Sequence, residues 1–147
     1  MHSVRRRISL GLVVSVSAGL GLGFQASLVP AGEPQGVSLI QLIANPAAYD
    51  GVAVRAIGFC WLEHEGNGLF VHQDDFEHGV FRNALWLDLG WPEPEEYRQL
   101  SGQYVLVEAT FRAAGHGHGG LYSGELTNIR RIVVWPSRKQ IERPSKR

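Results

Sequence analysis

Gly115-His116-Gly117-His118-Gly119-Gly120 is the segment of this 147-residue chain whose residue types come closest to a chemical site. Two imidazoles one residue apart on a glycine-rich backbone can turn toward one point, and neutral imidazole is a ligand for zinc and for copper. A second group of donors, Glu63, His64 and Glu65, stands earlier in the chain, just before Gly66-Asn67-Gly68. His64, His116 and His118, with Glu63 or Glu65 completing the shell, are therefore the candidate ligands for zinc or copper. The site exists only if the fold brings the two stretches together. The spacing matches no established zinc pattern, and the plain alternative is an exposed glycine turn with solvated histidines.

A second candidate is a face rather than a cluster. Phe70, His72, Trp86 and Asp88 alternate with Leu69, Val71, Leu85 and Leu87 along two strand-like segments, so the rings and polar groups share one side. Such a side can hold a ligand by stacking and hydrogen bonding. The competing reading is that the apolar side of a preceding helix, Leu39, Leu42 and Ile43, covers it. No nucleophile stands beside a base and no glycine loop is shaped for phosphate, which favours a non-enzymatic protein. Asp74-Asp75 and Glu95-Glu96 are sequence neighbours, explained by a solvated loop and by the start of a helix. Cys60, between Phe59 and Trp61 and without a second cysteine to pair with, reads as a small buried apolar residue.

The elements that must position these groups follow from periodicity and punctuation. Ser38 is a helix cap, and Leu39, Ile40, Leu42 and Ile43 recur at helical spacing until Asn45-Pro46 ends the run. A short turn of helix from Pro46 then leads through Asp50-Gly51 into a strand over 52–62, where Gly58 predicts a bulge or bend. The turn over 63–68 leads to a second strand over 69–73. Residues 74–83 are polar and irregular, 84–89 form a third strand, and 93–100 a short helix. The clearest alternation is over 104–112, and after the glycine-histidine loop a final bent strand covers 121–135. Three strands, a helix and two more strands predict a mainly β fold: a five-stranded closed barrel of the OB type, with a short N-terminal helix and a short helix between strands three and four. An open sandwich or an SH3-like barrel is the alternative. In an OB barrel the loops after strands one and four flank one binding face, which would bring the two histidine-bearing stretches together.

The ends of the chain are of a different kind. Arg5, Arg6 and Arg7 precede an uncharged run from Ile8 to Val29, the pattern of a secretory signal over residues 1–31 with a cut after Ala31. An uncleaved anchor is the alternative, because the run is long enough to span a bilayer. Either way the domain is expected outside the cytoplasm, periplasmic or secreted, or anchored in the inner membrane and facing the periplasm. Residues 32–36 read as a linker, 37–135 as the barrel domain and 136–147 as a basic disordered tail. Between Pro34 and Trp135 twelve acids face six arginines, a balance of −6. An acidic domain is repelled by phosphate backbones, so nucleic acid is not the expected partner. A protein, peptide or glycan is, with any membrane contact made through the N-terminal segment.

Leu39-Ile40-Gln41-Leu42-Ile43-Ala44-Asn45-Pro46, Tyr49-Asp50-Gly51 and Val54-Arg55-Ala56-Ile57-Gly58-Phe59 resemble the leader helix, turn and first strand of small exported bacterial OB-fold domains. Gly102 to Phe111 and the glycine-histidine loop are similar to segments of an uncharacterised set of bacterial proteins. The resemblance spans roughly residues 37–133 and implies turns and strands, with no catalytic residue. The expectation is a non-enzymatic exported binding or interaction module for a protein, peptide or glycan. A metal-binding protein is the runner-up, and a hydrolase with an unrecognised site the third reading.

Overall fold

A computed structural model of the chain describes residues 32–63, 66–90 and 94–142. The segment read as a signal lies outside the described residues, as do His64, Glu65 and the last five residues of the tail.

The first described element, β1 (Gln35–Gly36), pairs in parallel with Val54 and Arg55, so part of the expected linker belongs to the sheet. Ser38 then starts α1 (Leu39–Ala44). Its hydroxyl accepts the Gln41 backbone N–H at 3.2 Å, and Gln41 Oε1 accepts the Ser38 N–H at 2.9 Å. This reciprocal cap satisfies donors that the first helical turn leaves over. Pro46 cannot donate to α1 and instead opens α2 (Pro46–Tyr49). The turn after it uses Gly51 at φ 78°. The Gly51 N–H reaches the Phe111 carbonyl at 2.9 Å, and Asp50 Oδ1 accepts the Ala113 N–H at 2.9 Å.

Five strands close the barrel: β2 (Ala53–Trp61), β3 (Gly68–Phe70), β4 (Ala84–Leu87), β5 (Gln103–Arg112) and β6 (Glu125–Val134). Their order is β2-β3-β4-β6-β5, with β5 returning to pair with β2. The β4–β6 pair is parallel and the others are antiparallel. This is the expected OB-type barrel, and closure leaves none of the five strands with a free edge along its whole length.

The register of β2 against β5 runs unbroken from Ala53↔Thr110 to Cys60↔Gln103, so Gly58 marks no bulge. A Cβ there would lie 2.6 Å from Leu39 Cδ1 and 2.7 Å from the Phe70 carbonyl oxygen. Gly58 is thus a point of close approach, just before β2 takes up β3 as a second neighbour at Phe59↔Phe70. The irregularity lies instead between β5 and β6, where the register shifts between Glu108 and Thr110. Asn128 adopts φ 49° there, where the final strand departs from regular pairing.

Two apolar layers hold the molecule. Val54, Ala56, Cys60, Leu69, Leu85, Val107, Phe111 and Leu126 fill the barrel, joined by Leu39 and Leu42 of α1 and by Leu100. Leu100 ends a 3-10 turn over Glu95–Leu100, which is the expected helix between the third and fourth barrel strands in tighter form. Burial pushes the Cys60 thiol up to about 12, so it stays protonated and inert at neutral pH.

The second layer is aromatic and lies outside the barrel: Phe59, Phe70 and Tyr122 are buried, with Trp61, Phe76, Phe81, Trp86 and Tyr104 against them. Its cover comes from the segment expected to be irregular. That segment forms α3 (Gln73–Glu77) and a 3-10 turn at Phe81–Asn83. The Phe76 ring stacks on Trp61 at 4.1 Å between centroids. The leader helix does not cover this face; its Leu39 and Leu42 belong to the barrel interior.

Among the described residues both layers lie between Val37 and Ile132. A chain of residues 32–147 therefore keeps every described residue of both layers.

Candidate functional site

The loops after β2 and β5 both lead to the outer face of β3 and β4, where Gly68, at the end of the first, lies beside Tyr122 of the second. Tyr122, from the second of these loops, packs on Trp86 at 5.4 Å, on Phe81 at 5.6 Å and on Phe70 at 6.4 Å. Burial raises the pKa of its phenol, and the charge of Glu63 from the first loop raises it further. Both loops therefore border one ring. Nothing in the sequence marks Tyr122 beyond its being the aromatic residue next to a glycine-rich loop.

The four residues predicted for the binding face divide between structure and surface. Phe70 is buried in the aromatic layer and is unavailable to a ligand. His72 is exposed and caps α3: its ring Nδ1 accepts the Asp74 N–H at 3.3 Å, while its own N–H reaches Asp75 Oδ2 at 3.1 Å. Trp86 is half-buried in β4. Gly117 lies against it with φ 61°, so close that a Cβ would come within 2.6 Å of the indole. Asp88 is exposed and accepts the Gly90 N–H at 3.2 Å.

Of the predicted metal ligands, His116 turns its Nδ1 to the Tyr122 carbonyl at 3.0 Å. A carbonyl only accepts, so this nitrogen carries the proton and Nε2 holds the lone pair of the neutral ring. The Tyr122 N–H in turn reaches the His116 carbonyl at 3.2 Å, making the histidine a staple of its own loop. His118 is exposed in a 3-10 turn at His118–Gly120, and Glu63 folds over Gly66, whose N–H its carbonyl accepts at 3.1 Å. His64 and Glu65 lie outside the described residues. Among the described residues no group of three or more His, Cys, Asp or Glu is placed to hold a metal ion.

The rim around Trp86 is acidic. Glu125, at the start of β6, packs against Gly115, and its carboxyl pKa is raised first by burial and then by the charge of Asp88. Glu125 thus stands across the β4–β6 pair from Trp86 and near Asp88, while Glu63 acts on the Tyr122 phenol. An aromatic surface edged with acceptors can stack on a ring or a cation and accept hydrogen bonds from hydroxyl or ammonium groups. A second set of exposed apolar residues lies elsewhere: Ile57 in the middle of β2, Val134 and Trp135 at and just past the end of β6, and Ile141 in the last described helix, positions that share no period in the sequence. No protein-family model, curated protein or solved structure matches this chain.

Proposed function

We propose that the protein is a non-enzymatic binding module, working outside the cytoplasm, that takes a segment of a protein, peptide or glycan at the rim around Trp86. The observation that carries this reading is the half-buried Trp86 indole packed on Tyr122, with Glu125 paired across from Trp86 and Asp88 and Glu63 adding negative charge to Glu125 and Tyr122. Those carboxylates favour a partner rich in hydroxyl or positive groups and disfavour phosphate. The basic and apolar N-terminal sequence supports export.

The test is a backbone NMR titration of residues 32–147 with a lysine-rich peptide and with a neutral oligosaccharide. Shifts should cluster at Trp86, Tyr122 and Glu125 with one of the two. Trp86→Ala should then weaken binding between about twofold and thirtyfold, the range for losing an aromatic contact to a cation. Silence from both probes, or shifts on the opposite side of the barrel, would overturn the reading.

A further inference from the structure

Two shallow grooves of about 560 and 430 Å³ meet at Trp135. One runs past Tyr104 and Val134 to α4 (Arg138–Ile141); the other lies over Ile57 and Leu106, beside Gly36 and Val37. Of the seven large apolar side chains exposed among the described residues, four line these grooves: Ile57, Val134, Trp135 and Ile141, the last two 47% and 69% exposed. The exposed apolar surface is therefore gathered on one face rather than scattered, and gathering of this kind marks an interaction surface.

In the sequence, the basic residues of the domain collect toward this end of the chain. From Arg130 to Arg147 seven basic residues stand against one acid, Glu142, a balance of +6; from Gly32 to Ile129 thirteen acids stand against four arginines, a balance of −9. On the strand part of this face Arg55 and Arg131 lie 2.7 and 3.7 Å from Glu108, which offsets part of their charge. Arg138 and Lys139 stand exposed on α4, next to Ile141 and three residues beyond Trp135.

We infer that the Trp135 face is a docking surface for an anionic lipid bilayer. Tryptophan with neighbouring aliphatic side chains suits the headgroup region, and lysine and arginine beside them add attraction to anionic lipid. The chain also enters the domain here. Gly36 borders one groove, and the uncharged run that ends at Val29 is separated from it by at most about 25 Å of extended chain. An apolar run retained in a bilayer would hold this face within that distance of the headgroups. Glu125 of the acidic rim and Val134 of this face stand at opposite ends of β6, so the two surfaces are separate and serve different partners.

Residues 32–147, which lack the apolar run, give the test: co-sedimentation with vesicles of phosphatidylcholine alone and of equal parts phosphatidylcholine and phosphatidylglycerol. Binding should require the anionic lipid. It should fall about fivefold for each charge removed, and more than about tenfold in the Arg138→Gln, Lys139→Gln double variant. Trp135→Ala should weaken it as well. All three side chains lie outside both cores, so an unchanged thermal midpoint shows that the fold is retained. Equal or absent binding to the two vesicle types would overturn the inference, as would variants that bind like the unmodified domain. A concentration-dependent dimer dispersed by Trp135→Ala, without vesicle binding, would assign the face to a second copy of the chain and equally overturn it.

Discussion

Gly117 shows how much of the rim depends on one missing atom. Its backbone lies on the Trp86 indole at a positive φ, two conditions that a side chain violates together. Gly117→Ala should lift the loop from the ring and cost on the order of 1–2 kcal/mol, the usual range for a strained backbone position. Thermal unfolding would give the loss, and a shift in tryptophan fluorescence would report the freed indole. Glu125 carries the opposite kind of cost. Burial and Asp88 raise its pKa, so its carboxylate is disfavoured in the folded state. The resulting penalty is absent below the ordinary carboxylate range, where the group is protonated folded and unfolded, and develops as pH rises through the raised value. Glu125→Gln should therefore raise the thermal midpoint at neutral pH, and the gain should vanish in acid. A pH series of melting curves on the two proteins checks both halves of that statement.

At the scale of elements, α3 is the instructive case. Residues 73–83 hold few apolar side chains, Phe76, Val80 and Phe81 among them, and polar spacing of that kind reads as loop. What makes the segment fold is the aromatic layer beneath it: Phe76 meets Trp61, Phe59 and Phe70 within 6.0 Å, and His72 and Asp75 supply the cap. A short helix of marginal intrinsic stability forms because a ring surface needs cover. Phe76→Ala should cost about 2–3 kcal/mol, somewhat below the usual range for a fully buried ring, and should expose Trp61. Urea unfolding gives the energy, and acrylamide quenching reports the exposure. The same layer explains why the predicted binding face is only partly available. Phe70 was legible as lying on the side opposite Leu69, but the element that would cover it was not.

For the whole molecule, Ile132 is the last side chain among the described residues that packs against the two cores. A chain ending at Trp135 should therefore keep its unfolding free energy to within about 0.5 kcal/mol, as expected for changes away from packed or capped features. Differential scanning calorimetry of the shortened and full domains measures this directly. The shortened chain lacks Arg138, Lys139 and Ile141, so the barrel's stability can be separated from the lipid attraction inferred for its C-terminal face.

The sequence by itself determined the barrel, because its evidence is local and repeated: alternation over Tyr104–Arg112, the Ser38 cap, the Asn45-Pro46 stop and the Asp50-Gly51 turn each act through neighbouring residues. It also placed the two loops on one side of the fold, since strand order alone implies that. Only the tertiary structure decided what those loops do there. Whether Trp86 faces solvent, whether His116 points outward or staples its own loop to Tyr122, and whether Ile57 and Trp135 share a surface depend on contacts between residues far apart in the chain. Such contacts leave no period or spacing to read. They arise when the strands close and bring unrelated segments within reach.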